Sequence, residues 1–139
     1  MPEDNAAAVR SMYDAFGRGD IGFVIGMLDP QVEWNEAENF IYADGNPYKG
    51  PQAVLDGVFA RIGGEWAGFS ATPAEILDAG DTVVGLGRYR GTCKATGALV
   101  DAQFVHVFKF AGGKVVRFQQ YTDTAQFRDA VNRGRSARV

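Results

Sequence analysis

The chain has 139 residues, 46% apolar and 22% charged, the length and makeup of one soluble globular domain and not of a fibrous or disordered chain. Its 14 Lys and Arg are outnumbered by 17 Asp and Glu, for a net charge of -3, so nucleic acid is not expected as a partner. A single cysteine, Cys93, cannot close an internal disulfide, and one Cys with one His falls short of a metal set, so no metal and no cofactor are expected. Met1 to Arg10 is polar and acidic and no long apolar run follows, so a cytoplasmic location without membrane contact is expected.

Taken in chain order, Val9, Met12, Tyr13 and Phe16 repeat at i, i+3, i+4 and i+7, the stripe of an amphipathic helix that Gly17 and Gly19 stop. Asp20 caps a short second helix with Ile21, Val24, Ile25 and Leu28 on its apolar face, ended by Asp29-Pro30. Gln31 to Trp34 extends briefly, and Asn35 to Lys49 is too rich in Gly, Pro, Asn and Glu for a regular element. Gly50-Pro51 opens a third helix with Val54, Leu55, Val58 and Ile62 buried, stopping before Gly63-Gly64. From Trp66 the pattern turns to strands at Phe69 to Leu77, Thr82 to Thr92, Ala98 to Phe110 and Lys114 to Thr122, an antiparallel meander. Asp123, three residues before Gln126, caps a last helix to about Asn132. Helices first and strands afterwards predict an α+β fold, a single domain over residues 1–132 followed by a basic flexible tail, 133–139.

In the strand from Ala98 to Phe110 the even positions read Val100, Ala102, Phe104, His106, Phe108 and Phe110. His106, the one histidine, thus sits in an apolar row, where it needs a partner. A three-residue turn at Ala111 to Gly113 would set Val116, Phe118, Gln120 and Thr122 on the same face, with Gln120 diagonal to His106 as that partner. Two readings stand side by side: a core histidine satisfied by an amide, or a polar group set in the aromatic walls of a small-molecule pocket, able to move a proton near neutrality. Arg88 points into the same cavity in one strand register, and Gly85, Gly87 and Tyr89 point there in the other.

Glu33, Glu36 and Glu38 around Trp34, with Tyr42 and Tyr48, read first as a solvated loop and alternatively as an acidic, aromatic mouth. Asp123 is explained by its cap, and Cys93, with no base nearby in sequence, is incidental. Leu99, Val105, Val107 and Tyr121 on the opposite sheet face mix with Lys109, Arg117 and Gln119, a surface for a homodimer.

Gly17-Arg18-Gly19-Asp20, Val32-Glu33-Trp34, Gly50 to Val54, Gly87-Arg88-Tyr89-Arg90-Gly91 and Phe108 to Val116 through Tyr121-Thr122-Asp123 together carry a resemblance over nearly the whole chain. It is to the NTF2-like (cystatin-like) superfamily and, more narrowly, to the SnoaL-like proteins related to polyketide cyclases and ketosteroid isomerases. The resemblance implies a cone of helices on a curved, mostly antiparallel sheet, a pocket between them, and a homodimer through the outer sheet face. Against ketosteroid isomerases, the oxyanion-hole tyrosine falls at Met12, the base aspartate at Trp34 and the protonated aspartate at His106, so isomerisation by that route is not expected. The water-activating set of limonene epoxide hydrolases, falling near Leu86, Arg88 and Gln120, is also missing.

The cyclase-like branch remains, and it implies a pocket for a small apolar or polyketide-like carbonyl compound. His106 is the candidate catalytic acid/base, with Trp34, Arg88, Phe104, Phe118 and Gln120 contacting substrate. The other class is a non-catalytic binding protein or dimeric scaffold on the same fold.

Overall fold

Asp4 begins the first helix by accepting a hydrogen bond from the Ala7 amide, and Asp20 does the same for the second from Phe23, so each acidic cap satisfies an amide the helix cannot. In the computed structural model, which describes residues 4–136, these are α1 (Asn5–Gly17) and α2 (Ile21–Gly26). They are followed by β1 (Leu28–Asn35), a 3-10 turn (Ala43–Gly45) and β2 (Tyr48–Lys49). α3 (Pro51–Val54), a π-helical turn (Leu55–Phe59) and α4 (Ala60–Glu65) form one continuous helix. The strands β3 (Trp66–Ala79), β4 (Thr82–Cys93), β5 (Leu99–Ala111) and β6 (Lys114–Thr122) precede α5 (Thr124–Ser136).

One six-stranded sheet runs in the order β2-β1-β6-β5-β4-β3, antiparallel throughout except for the β1–β6 pair. Register shifts in β1, β3 and at Lys109/Phe110 mark bulges that bend it, and α1 crosses its concave side over β3 and β4. The expected α+β architecture, helices packed on a curved and mostly antiparallel sheet, is therefore present.

The second helix stops at Gly26, and Leu28, expected on its apolar face, instead opens β1 and pairs with Val115 of β6. Four further departures from the sequence reading have physical causes. The third helix passes through Gly63 and Gly64 to Glu65 and leads straight into β3 at Trp66, because both glycines lie at exposed or half-exposed positions where a missing side chain loses no packing. The β5–β6 turn is two residues long, with Gly112 and Gly113 both at positive φ, as a tight hairpin requires; with the adjacent bulge it turns Val115, not Val116, inward. His106 then lies directly opposite Gln120 instead of diagonal to it.

On β4 the inward set is Val83, Gly85, Gly87 and Tyr89, so Arg88 points out, where it pairs with Asp101 at 2.7 Å. The two glycines decide this: a Cβ on Gly85 would overlap the Tyr13 hydroxyl, and one on Gly87 would run into Thr72 O and the Phe104 ring. Finally, α5 continues past Asn132, so Arg133, assigned to a tail by composition, is helical and bridges Asp129 four residues back. Residues 137–139 of that expected tail lie outside the described residues.

Candidate functional site

Between α1, the continuous helix and the concave sheet lies a cavity of about 70 Å³, enough for several water-sized groups. Its walls are aromatic and aliphatic, including Phe16, Phe59, Phe69, Phe108 and Phe118. Five polar side chains reach it: Tyr13 from α1, Glu36 just beyond β1, Tyr89 from β4, His106 from β5 and Gln120 from β6. Trp34 lines it too, stacked on Phe118 with ring centroids 3.7 Å apart.

The polar groups form one string. Gln120 Oε1 accepts from the Ala37 backbone amide at 3.1 Å, and Gln120 Nε2 donates to the Tyr89 oxygen at 2.9 Å. Tyr89 meets His106 Nε2 at 2.5 Å, and Tyr13 meets His106 Nδ1 at 2.8 Å. A backbone N–H can only donate, so it fixes which end of Gln120 faces Tyr89. The Tyr89 oxygen already accepts from that amide, and among the described residues its own proton finds a partner only at His106 Nε2. The neutral imidazole therefore carries its proton on Nδ1 and donates to the Tyr13 oxygen. The Tyr13 proton is left over, free to donate into the cavity. The reverse arrangement would strand the Tyr89 proton in the fully buried interior.

Burial sets the charge states. It pushes His106 down to about 3, so the imidazole is neutral at physiological pH, and it drives the Tyr13 and Tyr89 hydroxyls far above the usual phenol range, the nearby Glu36 adding to the shift of Tyr89. Burial also pushes Glu36 up to about 8, while the neighbouring Trp34 indole pulls the other way. Glu36 is held there by its main chain: Asn46 Oδ1 accepts from its N at 2.9 Å and Asn46 Nδ2 donates to its O at 2.8 Å. The loop beyond is pinned in turn. Tyr42 donates to Glu65 at 2.5 Å, Trp66 Nε1 donates to the Tyr42 oxygen at 3.0 Å, and Arg61 lies over the Tyr42 ring.

Of the residues named from sequence, His106, Trp34, Phe118 and Gln120 line the cavity. Phe104 lies behind it, stacked on His106 at 4.0 Å, and Arg88 is on the outer face, away from it. Gln120 reaches His106 only through Tyr89. Tyr13 was missed as a site residue, while Tyr89 entered only through the alternative β4 register and Glu36 only through the alternative acidic mouth. Tyr13 shares the Val9-Met12-Phe16 stripe, so its burial was visible though its hydroxyl partner was not. Glu36 follows Trp34 at the strand spacing of two, a signal hidden by the two exposed or half-exposed acids around it, Glu33 and Glu38.

The model of the SnoaL-like domain matches residues 9–118. The chain belongs to the SnoaL-like domain family. This SnoaL-like chain is similar to a crystal structure of an NTF2-like protein from Burkholderia thailandensis, 34% identical, with a TM-score of 0.88 over 93% of this chain and 98% of that one. It is similar to an NTF2-like protein of unknown function from Burkholderia pseudomallei, 29% identical, TM-score 0.84, over 93% and 98% of the two chains. TerC, co-crystallized with polyporic acid, shares the fold at 24% identity and a TM-score of 0.81, over 94% of this chain and 99% of its own. No curated protein matches the sequence. No helix among the described residues is long and apolar enough to cross a membrane.

Proposed function

We propose that this SnoaL-like protein takes a small apolar carbonyl compound in the cavity and catalyses a proton transfer on it, an enolisation or an intramolecular ring closure. The observation that carries this reading is the pairing, in one apolar cavity, of a spare hydroxyl proton on Tyr13 with the carboxyl of Glu36. A group ionising near 8 is about one-tenth carboxylate at pH 7, close to the match between pKa and working pH that favours acid/base catalysis.

Ionised Glu36 takes a proton from the carbon next to the carbonyl, the C–H pair becomes the enolate, and the charge that develops on oxygen is held by the Tyr13 O–H. Glu36 then returns the proton to carbon or, after ring closure, to the new alkoxide oxygen. His106 serves differently from its sequence reading as a general acid or base. With both nitrogens engaged and its protonation confined to acid, it orients Tyr13 and leaves proton carriage to Glu36.

That a fold relative was crystallised with polyporic acid is consistent with an aromatic-walled pocket for such compounds. We further propose that two copies pair through the outer sheet face, where Leu99 is 74% and Tyr121 55% exposed. Non-denaturing mass spectrometry addresses both points, reading subunit number and any retained small molecule.

The decisive experiment follows deuterium uptake at the carbon next to the carbonyl in a panel of aryl ketones. Wild type accelerates exchange of at least one member, and Glu36→Gln loses about 10²- to 10⁴-fold of that rate. Equal rates in the two proteins refute the catalytic reading and leave ligand binding without turnover.

A further inference from the structure

Trp34 and Glu36 alternate along β1 and its extension, so both side chains fall on the concave face and border the same cavity. Each lacks something. The Trp34 indole nitrogen is buried and has no hydrogen-bond partner among the described residues, an arrangement that native interiors rarely tolerate. The Glu36 carboxyl, 3% exposed, likewise makes no hydrogen bond of good geometry among the described residues, its bonds running through its main chain. The indole nevertheless lies near enough to act on the carboxyl as a hydrogen-bonding neighbour, easing the rise that burial imposes on it.

A protonated carboxyl asks little of a neighbouring N–H. A carboxylate in an apolar cavity needs a donor, and the hydrogen bonds formed by charged groups are the strong ones.

We propose that Trp34 is a positioning residue for Glu36: its indole N–H, unpartnered while Glu36 is protonated, becomes the donor that holds the ionised carboxylate in place. This rests on the reading of Glu36 as the proton carrier and adds the group that stabilises its charged form. No other group in the cavity competes as a source of charge. Among the described residues its remaining titratable members are Tyr13 on α1, Tyr89 on β4 and His106 on β5, all uncharged near neutrality. Glu38 borders only the shallow outer groove that Glu36 also touches.

The test needs no substrate. The full chain labelled with ¹⁵N gives two indole N–H signals, Trp34 and Trp66. Trp66 already donates to the Tyr42 oxygen and serves as the internal reference. Between about pH 6 and about pH 10 the Trp34 signal moves downfield with the ionisation of Glu36, and in Glu36→Gln it stays fixed. Trp34→Phe keeps a ring against Phe118 and raises the midpoint of the Glu36 carboxyl ¹³C titration by about one unit. A Trp34 signal that does not move in wild type, or that moves equally in Glu36→Gln, overturns the assignment, whatever the folding of Trp34→Phe. If turnover falls in Glu36→Gln while the indole stays fixed, the functional reading stands and only the role of Trp34 is lost. A titrating indole with full turnover in Glu36→Gln has the opposite meaning.

Discussion

Gly85→Ala is the smallest change that strikes the centre of the polar string. Gly85 lies opposite His106 in the sheet, and a Cβ there would overlap the Tyr13 hydroxyl and sit 3.0 Å from Cζ of that ring. Ordinary contact begins at 3.4 Å, so the ring must withdraw, and the hydroxyl further still. Tyr13 leaves His106 by that movement, stretching a 2.8 Å bond beyond roughly 3.2 Å, outside hydrogen-bond range. Overpacking costs about 1–3 kcal/mol and the two buried polar groups left unpaired cost about 1–3 more. Loss of glycine entropy in the unfolded chain returns about 0.4–1, leaving a net loss of about 1–6 kcal/mol.

Urea unfolding measures this, with Gly63→Ala as the control. A Cβ at Gly63 meets nothing, and Ala there favours the helix by about 0.5–1 kcal/mol. Gly85→Ala also slows the proton transfer, because the donor no longer faces the cavity. If Gly85→Ala is as stable as Gly63→Ala and turns over like wild type, the assignment of Tyr13 to a packed, hydrogen-bonded position is wrong.

Two further expectations concern pH and the outer face. Folding raises Glu36 from 4.5 to about 8, so between those values the folded chain keeps a proton that the unfolded chain sheds, and stability falls as pH rises; folding lowers His106 from 6.5 to about 3, so stability falls as pH drops through that window. The slopes oppose each other between 4.5 and 6.5, giving a plateau there and a loss of about 2 kcal/mol from 6.5 to 8, which urea titrations read directly and which Glu36→Gln abolishes. Arg88→Ala removes only an exposed pair with Asp101, and unfolding measurements should find a change under about 1 kcal/mol with turnover intact; a large loss of turnover would return Arg88 to the site.

How much of this was visible beforehand depended on range. The α1 stripe with its stop at Gly17, the Asp20 cap and the strand–turn–strand meander follow from local periodicity and caps, and they stand in the structure, whereas the second helix ends at Gly26, short of the expected Asp29-Pro30 stop. The inward placement of His106 follows from strict alternation in β5. What sequence could not supply was the partner of each polar group. Tyr13 and His106 are 93 residues apart, and Gln120 and Ala37 are 83 apart, so only the sheet order brings them together. The register of β4 hinged on two glycines whose purpose appears only once Tyr13 and Phe104 are in place. Glu36 was hidden because an acidic residue in an irregular loop is usually solvated, and its burial is imposed by Asn46, ten residues on.

Strings of hydroxyls and imidazoles normally conduct in either direction, since each link can swap donor for acceptor at little cost. This one has a rectifier at its far end. The Ala37 amide that orients Gln120 belongs to the loop carrying Glu36, so the polarity of a proton on α1 is dictated by a backbone group on the opposite wall. Displacing that loop would unhook Gln120 and let the string run backwards, turning Tyr13 from a donor toward the cavity into a donor toward His106. The Ala37 amide and the Glu36 carboxyl are adjacent in the chain, so hydrogen-bond donor and proton carrier would be switched on and off by a single segment.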